Sequence, residues 1–199
     1  MPRGVAIDGA RQRLFSAAEA VILRDGVVGL KGRAVTAQAG VATGLLHAHF
    51  GDFEGFLAAY AVDRSFALGA EAAEATPSGI GAETSVVEAI CTQLDALPQS
   101  AATAFARLLA ARPDLRERAA EVLGADSAGF EGVTAAVAEL LEAEEGTGRL
   151  RAGTHPGDLA YAVVGAALRA WCAGDPDERW HGAVVAIIGA VASARPTGR

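Results

Sequence analysis

Four histidines, two cysteines and a few cations near its start are the side chains with chemistry to offer in this 199-residue sequence. His47 and His49 are two residues apart, which on a helix turns them roughly 200° from one another, whereas a chelating pair needs a spacing of three or four. His155 precedes a proline in an apparent loop and His181 adjoins Trp180, so both read as solvated or packed side chains. Cys91 and Cys172 belong to no CxxC pair and have no histidine in a ligand pattern, and they read as buried thiols. Glycine-rich phosphate loops, a GxSxG nucleophile motif and a convergent acid pair are all missing, while Glu142, Glu144 and Glu145 form a solvated charge run. The sequence therefore argues against an enzyme and implies neither a metal nor a cofactor.

The cations say more. Net charge is -7, which alone disfavours nucleic acid. Residues 1 to 50, however, carry Arg3, Arg11, Arg13, Arg24, Lys31 and Arg33 against Asp8, Glu19 and Asp25, a net of +3. The remaining 11 of 17 basic and 21 of 24 acidic residues leave the rest at -10. Such asymmetry suggests an anionic partner at one end. No window approaches the roughly 18 apolar residues of a membrane span. The opening MPRGVAIDGARQR lacks the apolar core of a signal peptide, so a cytoplasmic protein with no membrane partner is expected.

The elements that must position these cations are helical, because apolar residues recur at three and four and never settle into alternation. Leu14, Phe15, Ala18, Val21 and Ile22 make one face of a first helix ending near Asp25-Gly26. Gly32 opens a short second helix reaching Ala39, and Gly40 breaks it. A third helix of barely two turns spans about Thr43 to His49, after which Asp52 caps a longer fourth helix bearing Phe53, Phe56, Leu57 and Tyr60. Beyond a linker at Thr76-Pro77-Ser78-Gly79, further helical stripes run through Val86 to Leu97, Phe105 to Leu109, a run from Asp114, and Phe130 to Leu141. Two last helices cover about Pro156 to Cys172 and Asp177 to Ala194, giving an all-α chain of about nine helices.

A helix of two turns is too short for a core stripe but long enough to reach into a DNA groove, the arrangement of a helix-turn-helix. The stretch RLFSAAEAVILRDGVVGLKGRAVTAQAGVATGLLHAHFGDFEGFLAAY resembles the N-terminal domain of the TetR family of bacterial transcriptional regulators. The AGV of the turn, Gly44, Leu46, and the HF pair at 49 and 50 carry the likeness, which covers roughly residues 11 to 60. It implies a three-helix helix-turn-helix DNA-binding domain over 1-51 and a helical effector-binding and dimerisation domain over 52-199. It also implies a DNA-binding transcriptional regulator, commonly a repressor released from a double-stranded operator by a small-molecule effector. The alternative is a TetR-like dimeric helical binding protein with little or no sequence-specific DNA binding.

Carried over position by position, the resemblance assigns DNA contact to Thr43, Leu45, His47 and His49 on the third helix. Lys31 and Arg33 stand at the start of the second helix, and Arg11 and Arg13 near the start of the first. The family usually has Thr or Ser where this chain has Ala42 and Leu45, Tyr at His47 and Lys at Phe53, so base recognition here would lean on Leu45 against a thymine methyl. An apolar or aromatic effector would be lined by Phe66, Cys91, Leu94, Phe105 and Leu108, together with Phe130, Val133, Val137, Tyr161 and Trp171. The homodimer seam would take Ala160, Val163, Val164, Ala167 and Leu168 from one helix and Trp180, Val184, Ile187, Ile188 and Val191 from the next. Gly165, Ala166, Gly182, Ala186, Gly189 and Ala190 would let backbones approach closely.

Overall fold

Glycine sets the lengths of the first helices. In the computed structural model, which describes residues 3-75, 84-174 and 179-192, α1 spans Arg3–Asp25, α2 Gly32–Ala39 and α3 Thr43–Phe50. Gly40 closes α2 in the left-handed conformation (φ 66°), where its N–H and that of Val41 recover the carbonyls of Ala37 and Thr36. Asp52 Oδ1 accepts from the Gly55 N–H at 2.7 Å and so starts α4, Phe53–Glu74.

The remaining helices are α5 Val86–Asp95, α6 Gln99–Ala111, α7 Asp114–Leu123, α8 Glu131–Gly146, α9 Pro156–Ala173 and α10 Arg179–Gly189. Ten α-helices thus stand among the described residues, against about nine expected. The ten-residue α7 is the easiest to overlook, because Leu115 and Ala119 alone are its buried residues. Ser85 and Glu88 form a reciprocal capping box at the start of α5. No described helix is long and apolar enough to cross a membrane. The linker at 76-79 and the expected ends of the last helix at Asp177 and Ala194 lie outside the described residues.

Contacts divide the chain into two compact units, residues 1-65 with 100-129 and residues 66-99 with 130-199. In the first, long-range packing draws α6 and α7 to the early helices. Tyr60 of α4 meets Phe105 of α6 edge-on at 6.0 Å, and Ser65 Oγ accepts from the Gly129 N–H at 2.8 Å. Phe15, Phe50, Phe56 and Tyr60 form the aromatic centre of this unit, with Phe15 between 5.5 and 5.8 Å from each of the others.

The second unit is built around α8, α9 and α10. Phe130 stacks on Trp171 at 5.5 Å, and the Trp171 indole N–H donates to Gln99 Oε1 at 2.9 Å. Gly69 of α4 and Gly132 of α8 face each other so closely that a Cβ added at either would lie 3.1–3.2 Å from the opposing Cα.

Candidate nucleic-acid interface

α3 owes its position to its buried side. Leu46 is buried, and Phe50 packs against Phe15 of α1 at 5.8 Å and against Phe56 of α4 at 5.2 Å. The side left to solvent carries Thr43, Gly44, His47 and Ala48. Leu45 and His49 are half-buried on its flanks, so the outward face is narrower than the Thr43, Leu45 and His47 set. One turn of helix separates Thr43 from His47 and Gly44 from Ala48, and this spacing of four fixes the face. Gly44 has open space where a side chain would stand.

The cations do not share one environment. Arg13, Lys31 and Arg33 are exposed. Lys31 is the residue just before α2 and Arg33 lies in its first turn, where unpaired backbone N–H groups and the positive helix end favour an anion. Arg11 is half-buried, its guanidinium 5.3 Å from the Phe50 ring centroid and 5.7 Å from that of Phe15, so it pins α1 to α3 through cation–π contact. Phe53, at the position where the resemblance expects a lysine, stacks on Phe56 at 5.8 Å and is half-buried.

Between α1 and α4 lies a charged pair that the sequence does not reveal. Arg64 Nε on α4 donates to Glu19 Oε1 on α1 at 2.6 Å, and Asp63 Oδ2 accepts from the other end of the guanidinium at 3.1 Å. Burial raises the Glu19 carboxyl above its ordinary range, a rise that Arg64 opposes. Burial also pushes the Tyr60 hydroxyl well above its usual value, so it stays protonated and donates to Glu19 at 3.4 Å. Glu54 at the start of α4 is bound by Arg112 at 2.7 Å and is held below the ordinary carboxylate range, chiefly by that hydrogen bond.

Two of the positions expected to line an effector pocket face solvent instead. Phe66 is 67% exposed and Tyr161 73% exposed, so neither can wall an enclosed cavity within this chain. Leu94, Phe130, Val133, Val137 and Trp171 are buried in the second unit and Cys91 is half-buried there, while Phe105 and Leu108 are core of the first. A cleft of about 180 Å³ between α9 and α10 involves none of these ten and has Arg169, Arg179 and Trp180 in its wall.

The residues expected at a dimer seam differ in their burial within the chain. Ala160, Val163, Val164, Ala167, Trp180, Val184 and Ile188 are buried within the chain, and Leu168, Ile187 and Val191 are half-buried. Exposed on α9 are Gly157, Asp158, Tyr161, Ala162, Gly165, Arg169, Cys172 and Ala173, and on α10 Arg179, Gly182, Val185, Ala186 and Gly189. Cys172, expected to be buried, is exposed because it falls on the same helical row as Tyr161 and Gly165. Both apolar sides look alike in sequence; packing against α8 and α5 decides which is inner.

No protein-family model and no curated protein matches the chain. Solved structures do, several of them described as TetR-family transcriptional regulators. The reduced form of E. coli NemR superposes with a TM-score of 0.66 at 20% identity, covering 93% of this chain and 98% of that one. SmeT, the repressor of a Stenotrophomonas maltophilia multidrug efflux pump, gives 0.56 at 18% identity, with 93% and 91% covered. The multidrug binding protein EbrR, complexed with imidazole, gives 0.56 at 25% identity, with 89% and 94% covered. All-helical along its described length, with a short exposed α3 after a glycine turn, this chain has the fold of the TetR-family transcriptional regulators.

Proposed function

We propose that the chain is a homodimeric DNA-binding transcriptional regulator, a repressor released from its operator by a small-molecule effector. The observation that carries the reading is the outward face of α3, which is narrow and free of Lys, Arg, Asp and Glu, beside the exposed Lys31 and Arg33 at the start of α2. A narrow face lets a helix approach base edges, and flanking cations neutralise phosphates without discriminating sequence. Arg13 joins them, while Arg11 serves to hold α3 in place.

Dimerisation would use the outer row of α9 and α10, where Gly165, Gly182 and Gly189 have open space beyond them and Val185 and Tyr161 stand exposed. An effector, apolar or aromatic, would be drawn to the interior side chains of the second unit, Phe130 and Trp171 foremost. The half-buried Phe53 favours the second reading, a dimeric helical binding protein with little sequence-specific DNA affinity, since it replaces a cation.

Fluorescence-anisotropy titration of the full chain against the intergenic duplex beside its own gene, at two salt concentrations, separates the readings. A regulator binds selectively and weakens with salt, and Lys31→Ala and Arg33→Ala each lower the salt slope by about one. Binding that ignores salt and both substitutions would overturn the proposal.

A further inference from the structure

His47 is the one polar side chain with a ring on the outward face of α3, and it is not held loosely. Its Nδ1 lies 3.0 Å from the Gly51 carbonyl oxygen, while the Gly51 N–H donates to the His47 carbonyl at 2.9 Å, closing a reciprocal ring at the C-terminus of the helix. A carbonyl oxygen can only accept, so the proton of the neutral imidazole must sit on Nδ1. Nε2 then carries a lone pair, and no described group engages it. Gly51 makes this possible: its φ of 79° and ψ of -59° turn its carbonyl back toward the helix, a conformation that a residue with a Cβ rarely adopts.

An outward lone pair is the wrong partner for a phosphate, which also only accepts. In the major groove it suits an exocyclic amino group, N6 of adenine or N4 of cytosine, and is repelled by O6 and N7 of guanine and O4 of thymine. We propose that His47, in the tautomer imposed by Gly51, is a base-reading acceptor that selects an amino base over a keto base at one position of each half-site. Gly51 is its positioning residue. The neighbouring Gly44 and Ala48 support this, because their small side chains leave the imidazole as the tallest polar group beside Thr43 on that face. The inference rests on the reading of α3 as the helix that meets DNA.

The test uses the full chain and a duplex that it recovers from a randomised pool. At the position sensitive to His47, adenine is replaced by purine or cytosine by 2-pyrimidinone, each of which lacks only the amino group. Wild type should lose about five- to tenfold in affinity and His47→Ala should lose no more, so the two changes are non-additive. His47→Arg should shift the preference to guanine. Gly51→Ala should blunt discrimination at that position alone, with the salt dependence from Lys31 and Arg33 intact, which a general loss of fold would not allow. Selective binding in which amino deletion costs wild type and His47→Ala equally, or in which wild type prefers a keto base there, would overturn the role of His47 and leave the regulator reading standing. Recovery of no sequence at all would overturn both.

Discussion

Arg64→Met removes the partner of a carboxylate that α1 and α4 enclose. The ion pair is 2.6 Å long and its side chains are 13% and 12% exposed, so Glu19 would be left with the Tyr60 hydroxyl at 3.4 Å as its remaining hydrogen bond among those described. Breaking a fully buried pair costs about 3–5 kcal/mol, and the residual exposure here argues for the lower end, about 2–3 kcal/mol at neutral pH. The pH dependence has a definite sign. The Glu19 carboxyl already sits above its ordinary value of 4.5 because burial outweighs Arg64, and loss of the arginine raises it further. A carboxyl raised in the folded state favours folding when protonated, and that contribution is lost as pH climbs through the folded value. The deficit of Arg64→Met should therefore be largest near neutrality and shrink as pH falls toward 4.5. Urea unfolding of wild type and variant at pH 7.5 and pH 5 measures it, and Glu19→Gln in the Arg64→Met background should recover much of the loss at pH 7.5. A deficit equal at both pH values, or no recovery by Glu19→Gln, would refute the reasoning.

Two further outcomes follow from packing and burial. Gly132→Ala places a methyl 3.1 Å from the Gly69 Cα, so backbone must move. Helix propensity alone would give a gain of about 1 kcal/mol, and crowding should turn it into a net loss of about 1–2 kcal/mol in thermal unfolding; a rise in Tm would contradict the close crossing of α4 and α8. Burial, then Asp95 and Glu88, push the Cys91 thiol up to about 11. In a Cys172→Ser background, iodoacetamide should label Cys91 slowly, about tenfold faster per pH unit throughout pH 7 to 9, whereas a slope that falls off above about pH 8.5 would show an ordinary thiol.

The short third helix was legible because Gly40 and Gly51 bracket it, and both do adopt positive φ. Its outward face was less so. Phase along eight residues turns on about 100° per position, and the sequence offers no reason to put Leu45 half inside and Ala48 outside until Leu46 and Phe50 are seen to anchor the other side. The inner side of α9 and α10 is hard to read for a related reason: with Ala, Gly and Val on both sides, hydrophobicity marks two faces and cannot rank them. Arg64 and Glu19 are 45 residues apart, and a pair at that separation leaves no periodic trace. Phe66 and Tyr161 are apolar enough in sequence to pass as lining, yet each projects from its helix away from the core.

Selection from a randomised duplex pool by the full-length chain tests the central claim most directly. Twofold related heads, each presenting α3, should enrich an inverted repeat whose half-site centres lie about 10 base pairs apart or a multiple of that spacing. A pool that stays indistinguishable from its input, or a single unrepeated motif, would contradict the account.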